Sequence, residues 1–172
     1  MSALPRLLAA SAGIATLLGS AAAFGAVPAT KNDAGKATIL KSLSVVRKSD
    51  LEFGELVVAG SGTAVIDPVS GSLTTTGPVI KVGTTAHPAV FTATGSKNSI
   101  VLIHLPTSAV TLTRVGGGGT MTVSNWTLDG NTSRRIPQNS AFDFAVGATL
   151  NVAAGQADGD YSGTFSVTVQ YP

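Results

Sequence analysis

The clearest pattern along this chain is the alternation of hydrophobic and polar residues near its C-terminus, over residues 160–171. Tyr161, Phe165, Val167, Val169 and Tyr171 fall on one side of an extended chain, with Gly163 in the same row. A period of two over this length, with β-branched and aromatic side chains, predicts a half-buried β-strand. Such a strand must either lie inside a sheet or offer unpaired backbone groups to another chain.

The same kind of pattern recurs in short segments along the rest of the chain. We predict strands at residues 37–46, 51–58, 63–67, 72–76, 79–82, 89–94, 99–105, 120–128, 141–146 and 148–152. Turns rich in Gly, Pro and Ser separate these segments, and no segment has helical periodicity. Residues 100–105 are almost continuously apolar, which is typical of a strand that is buried on both faces or spans the sandwich core. Residues 129–140 are expected to be irregular. The pattern therefore predicts an all-β protein, a single β-sandwich of roughly nine to eleven strands.

The first predicted strand has a row of apolar side chains that could fill pockets. Ala37, Ile39, Leu43 and Val45 share a face, and Lys41 interrupts the row. The charged residues 47–50 break this strand from the next, and the small, polar residues before it are expected to be mobile.

The first 23 residues have the organisation of a secretory signal peptide. Arg6 supplies the positive charge, residues 7–18 form a short apolar core, and three alanines end at Ala23, after which cleavage is predicted. No later stretch could span a bilayer as a helix. The sequence therefore predicts export of residues 24–172 without a membrane span.

Composition excludes several classes of function. Charged residues make up 12% of the chain and the net charge is +2, so there is no basic stripe for a nucleic acid. Cysteine is absent, which excludes thiol catalysis, thiolate metal sites and disulfides.

The remaining candidate chemistry is weak. His87 and His104 lack further ligands at metal-binding spacing, and residues 116–119 are four glycines without the lysine that completes a phosphate loop. We predict no catalytic residue, cofactor or metal, and no enzyme activity. Asn125 and Asn131 match the glycosylation acceptor pattern, which arises often by chance.

The C-terminal pattern supports a resemblance to a known family. Gly159 is fourteenth from the end and Tyr171 is penultimate, with alternating apolar residues between them. This arrangement resembles the C-terminal motif of pilins from bacterial chaperone–usher pili. Residues 157–169 also resemble the closing strand of spore-coat-U-like pilins. Residues 51–54 and 142–152 are similar to an uncharacterised pilin-like secreted family of Gram-negative bacteria, and the lack of cysteine favours a cysteine-free branch.

The resemblance implies an incomplete immunoglobulin-like β-sandwich that is completed by donor-strand exchange. Residues 24–46 would be a flexible leader and donor strand, and residues 47–172 the pilin-like domain. The donor side chains would be Ala37, Ile39, Leu43 and Val45. The groove edge read by a periplasmic chaperone would comprise Gly159, Tyr161, Phe165, Val167, Val169 and Tyr171. The expected partners are copies of the chain or related subunits, the chaperone and an outer-membrane usher, and the expected product is an extracellular filament.

Two alternatives stay open. Residues 37–46 could be the first strand of the chain's own closed sandwich, which Lys41 within the apolar row favours. The protein could instead be a monomeric surface adhesin that binds carbohydrate, for which Trp126 with Tyr161 is the only candidate aromatic platform.

Overall fold

The computed structural model describes residues 35–172, and every structural statement below concerns these residues. The compact unit runs from Thr38 to Pro172. It contains strands and no helix within the described range, which confirms the all-β prediction. No membrane-crossing helix is present in that range.

Thirteen strands follow one another along the described chain. They are β1 (Ser44–Ser49), β2 (Glu55–Val58), β3 (Gly62–Ile66), β4 (Leu73–Thr76), β5 (Val79–Val82), β6 (Ala89–Thr94), β7 (Ile100–His104), β8 (Val110–Arg114), β9 (Thr120–Leu128), β10 (Ser133–Arg135), β11 (Ala141–Val152), β12 (Tyr161–Ser162) and β13 (Thr168–Gln170).

These strands form three curled antiparallel sheets. The largest has the order β1-β6-β11-β9-β8-β12, with β3 and β4 joined to it through β11. The second sheet has the order β10-β7-β13, and the third contains β2 and β5. β11 is the central strand because its first half pairs with β6 and its second half with β3, while β9 lies along its other edge.

Gly147 lies where β11 changes its neighbour from β6 to β3. A methyl group at this position would collide with the main-chain oxygen of Ile66, the last residue of β3. The register with β9 also shifts here, between Gly147 and Thr149. A glycine at this point therefore allows two strands to share one edge of β11.

The core consists of two clusters. The first gathers side chains of β3, β9 and the second half of β11 with Phe53 and Val79, and the second gathers side chains of β6, β7 and the first half of β11. Phe144 is the largest fully buried side chain, and it stacks on Phe91 at 5.4 Å between ring centroids. Leu51 and Trp126 contact both clusters.

Several predicted strand boundaries were wrong. The first strand begins at Ser44 and not at Ala37, and it includes the charged residues Arg47 and Lys48. Both are exposed on an edge strand whose one neighbour among the described residues is β6. Arg47 pairs with Phe91, and the register shifts between Arg47 and Ser49, so Lys48 lies at an irregularity of the ladder. Strand β8 was not predicted, and the region expected to be irregular contains β10.

Two other expectations about the strands also need correction. The final strand pairs with β8 over Tyr161–Ser162 and with β7 over Thr168–Gln170. Residues 163–167 between them join no ladder formed by the described residues. The apolar run at residues 100–105 is not buried on both faces. Val101 and Ile103 are buried, whereas Ile100 is 46% exposed and His104 is exposed.

Candidate functional site

A cleft of about 890 Å³ is lined by the segment that includes β2, the segment that includes β12, and strands of the largest sheet. One side is formed by residues 50–58, which we call the N-terminal lip. The other side is formed by residues 156–163 and Phe165, which we call the C-terminal lip. Strands β8, β9 and β11 supply the floor through Val110, Leu112, Met121, Val123, Trp126 and Leu150.

The floor of the cleft is part of the protein's hydrophobic core. Val123 and Leu150 belong to the first core cluster, and Leu112, Met121 and Trp126 pack against it while remaining half-buried. Leu51, Leu56 and Val58 of the N-terminal lip are half-buried in the same way. This part of the core is therefore covered incompletely. A further apolar segment that packed on it would stabilise the protein by burying these side chains.

Both lips carry backbone groups that could pair with a further strand. β2 pairs with β5 on one side, and no second strand pairs with it among the described residues. In the C-terminal lip, the chain from residue 163 to 167 has no ladder partner within the described range. An extended peptide placed in the cleft could therefore form main-chain hydrogen bonds as well as apolar contacts.

Arg114 holds the start of the C-terminal lip in place. Its Nε donates a hydrogen bond to the main-chain oxygen of Asp158 at 2.5 Å, and one of its terminal nitrogens donates to the oxygen of Gly117. The guanidinium lies against Gly159, which has a φ of 136° and no room for a side chain on that side. Gly159, which the resemblance placed in the groove edge read by a chaperone, is thus the residue at which the chain turns into its last extended segment.

The predicted row of C-terminal side chains lies together on the inner side of the last segment. Phe165, Val167 and Val169 pack against the second core cluster and are half-buried, as are Tyr161 and Tyr171, while the residues that alternate with them from Ser162 onward are exposed. Phe165 contacts Trp126 with a centroid distance of 4.6 Å. The prediction of one apolar face is therefore confirmed, although that face is split between two ladders.

Trp126 is engaged within the protein. Its ring lies against Phe165, and its indole N–H donates a 3.3 Å hydrogen bond to the main-chain oxygen of Ser108. Tyr161 donates its hydroxyl to the oxygen of Ala157 and accepts from Gln156. Both side chains border the cleft and are half-buried.

The four predicted donor side chains fall into two groups. Val45 packs against the second core cluster and Leu43 is half-buried beside Gly95, because β1 pairs with β6 of the same chain. Ile39 is 96% exposed and Ala37 is exposed as well. The structure therefore does not bring the four side chains together on one surface.

Tyr171 ties the C-terminus to the segment that precedes β1, a contact that sequence reasoning missed. Its hydroxyl accepts a hydrogen bond from the backbone N–H of Ser96 and donates one to the main-chain oxygen of Lys41, both at 2.8 Å. The N–H of Lys41 in turn donates to the Ser96 hydroxyl at 2.6 Å. We call residues 35–41 the arm, and these bonds hold its last residue.

The charged residues that line the cleft are mostly acidic. Asp50, Glu52 and Glu55 lie on the N-terminal lip, and Asp158 and Asp160 lie on the C-terminal lip. Among the described residues, Arg47 is the one cation that lines the cleft. The described residues contain no cluster of three or more His, Cys, Asp or Glu side chains that could hold a metal ion. The two short acidic runs, at residues 50–55 and 158–160, are visible in the sequence. Their placement on the two lips of one cleft depends on the fold and could not be predicted from the sequence.

Comparison with known proteins identifies a family, and the description of that family states no function. Residues 43–171 match the model of the family described as a domain of unknown function, DUF4402, so the chain belongs to that family. No curated protein and no solved structure matches the chain. The predicted signal peptide, residues 1–23, lies outside both the matched range and the described residues.

Proposed function

We propose that this protein is the structural subunit of a secreted surface filament, a pilus or fimbria. Each subunit would donate an N-terminal strand to the cleft of a neighbouring copy. The observation that carries the proposal is the cleft itself, in which two lips with unpaired backbone groups flank a floor of half-buried core side chains. β-strand addition satisfies both features at once, because the backbone pairs with the lips and alternate side chains cover the floor.

In this proposal the fold is an immunoglobulin-like sandwich that lacks one strand. The missing strand would lie between β2 and the last segment of the chain, where the first core cluster is open. A periplasmic chaperone would cover the cleft before assembly and an outer-membrane usher would guide assembly, as the resemblance to pilins implies. Export would depend on the predicted signal peptide.

The donated strand would start with the arm. Ala37 and Ile39 are exposed, so they can enter a neighbouring cleft without any change in their own domain. Leu43 and Val45 become available only if β1 separates from β6 and Tyr171 releases Lys41. Burying Ile39 alone would contribute about 1.5–3 kcal/mol before ordering costs, so a durable contact also needs the backbone pairing or the release of β1.

The test compares two aspartate substitutions at exposed apolar positions. Ile39→Asp places a charge in the proposed donor. Val69→Asp places one at a turn residue that is itself 76% exposed and far from the arm in sequence. Neither position contributes to the core, so both variants should unfold at the wild-type urea midpoint. After refolding of the exported chain, wild type and Val69→Asp should form high-mass species and filaments, seen by size-exclusion chromatography and electron microscopy.

Ile39→Asp should remain monomeric, because a carboxylate in an apolar cleft is strongly unfavourable. A synthetic peptide of residues 35–46 should bind the full chain and cap growth, and the same peptide with Ile39→Asp should not. A wild-type chain that stays monomeric at high concentration and does not bind the peptide would refute the proposed function.

A further inference from the structure

The charges of this chain are distributed unevenly. Five of its nine acidic residues line the cleft, although the chain as a whole has a net charge of +2. The arm has the opposite character, since Lys36 and Lys41 are its charged residues and no acid lies between them. Both lysines are exposed.

Three of the carboxylates have no partner among the residues that the structure describes. Asp50 pairs with Arg47, and Glu52 lies 3.3 Å from His87. The side chains of Glu55, Asp158 and Asp160 are exposed, and none has a hydrogen bond or ion pair with another described residue. One of these lies on the N-terminal lip and two lie on the C-terminal lip, so negative charge faces the cleft from both sides.

The spacing of the lysines suits an extended segment in such a cleft. They are five positions apart, which is about 17 Å in a strand. If Ile39 faces the floor, Lys36 faces the solvent side of the cleft, near the rim. Lys41 then lies two residues beyond Ile39 on the same face, and its long apolar stem allows the ammonium group to reach the end of the cleft.

We propose that the carboxylates of the two lips recognise the lysines of the arm of a second copy, so that the cleft selects this chain's own arm over other apolar strands. The inference rests on the proposed function and adds the basis of specificity. Rim charges act mainly on the rate of encounter and on the choice of partner. Assembly should therefore slow as ionic strength rises from about 10 mM to about 150 mM, where the Debye length falls from about 30 Å to about 8 Å.

A charge exchange between full-length chains tests this inference. The arm-reversed variant carries Lys36→Glu with Lys41→Glu, and the lip-reversed variant carries Glu55→Lys with Asp160→Lys, one on each lip. The control variant carries Lys81→Glu with Lys97→Glu, which gives the same net charge as the arm-reversed variant through lysines outside the arm and the cleft. All chains are refolded from urea, and growth is followed by light scattering and electron microscopy.

Each reversed variant alone should assemble at least about tenfold more slowly than wild type at low salt, because like charges meet at the cleft. An equimolar mixture of the two should recover most of the wild-type rate, since each arm then meets a cleft of opposite charge. The control variant should assemble at close to the wild-type rate.

Two outcomes would overturn the inference and leave the proposed function standing. In one, the reversed variants assemble as fast as wild type at every salt concentration. In the other, both are slow and the mixture is no faster. Failure of wild type itself to assemble or to bind the peptide of residues 35–46 would instead reject the proposed function, and this inference with it.

Discussion

Replacing Tyr171 with phenylalanine should release the arm while leaving the domain folded. The ring of Tyr171 would keep its half-buried position, and the change removes just the hydroxyl that links Ser96 and Lys41. The Lys41–Ser96 bond remains, but it is then the one hydrogen bond shown to hold Lys41. The arm should therefore open from its root more often, without loss of the core.

The magnitude follows from the one lost hydrogen bond that reaches the arm, because the bond between Tyr171 and Ser96 does not involve it. The bond to Lys41 has a donor–acceptor distance of 2.8 Å, and a typical net contribution is about 0.5–1.5 kcal/mol. This free energy corresponds to an increase of about 2- to 13-fold in the open population. The lower part of this range is expected, because the bond to Lys41 is exposed and water can replace it.

Limited trypsin digestion measures this opening at the bond after Lys41. When opening and closing are fast compared with cleavage, the cleavage rate follows the open population. Tyr161→Phe is the matched control, since its hydroxyl also makes two hydrogen bonds, to Gln156 and Ala157, but none to the arm. Equal rates of cleavage after Lys41 in wild type, Tyr171→Phe and Tyr161→Phe would refute the proposed role of Tyr171 in holding the arm.

Three further predictions concern stability and are measured by urea unfolding. Val167→Asp should lower the free energy of unfolding by about 1–3 kcal/mol, because it places a charge against the second core cluster, whereas Thr168→Asp on the exposed side should change it little. Gly147→Ala should cost about 1–3 kcal/mol, because its methyl group would collide with a main-chain oxygen. The backbone N–H groups of Ser70 and Val69 lower the pKa of Asp67, and hydrogen bonds from Lys48 and then Thr92 lower the pKa of Asp143. Both carboxylates therefore stabilise the fold at pH values above their ordinary pKa of 3.8, and this stabilisation is lost as the pH falls below that value. Alanine at either position should make the free energy of unfolding depend less steeply on pH in this range.

Each of these predictions has a result that contradicts it. Equal effects of the substitutions at residues 167 and 168 would mean that the last segment has no buried face. An alanine at residue 147 without cost would mean that β3 and β6 do not meet there. An unchanged acid dependence of stability after both alanine substitutions would mean that the hydrogen bonds of the two carboxylates do not persist in solution.

The all-β class and most strands were predictable because a period of two is a local property. Phe165, Val167 and Val169 share a half-buried face as their alternation predicted. Strand β8 carries the same signal, with Val110 and Leu112 half-buried between exposed threonines, and could have been found in the same way.

The cleft could not be predicted, because it depends on which strand edges stay unpaired. Periodicity assigns faces to a strand but does not identify its neighbours. The alternation near the C-terminus therefore does not reveal that residues 163–167 leave the ladder between β8 and β7. The link from Tyr171 to Lys41 was hidden for the same reason, since 130 positions separate the two residues along the chain.

The central position of β11 has a consequence for how the chain folds. Without this strand, the largest sheet separates into the pair β1–β6, the pair β3–β4, and β9–β8 with β12. Two-stranded ribbons are marginally stable in water, so the first two gain little by forming early. A nascent chain must therefore wait for residues 141–152, and until then the edges of β3, β6 and β9 remain open to other chains. The strand that unites the fold also determines how long the unfinished chain is exposed to aggregation.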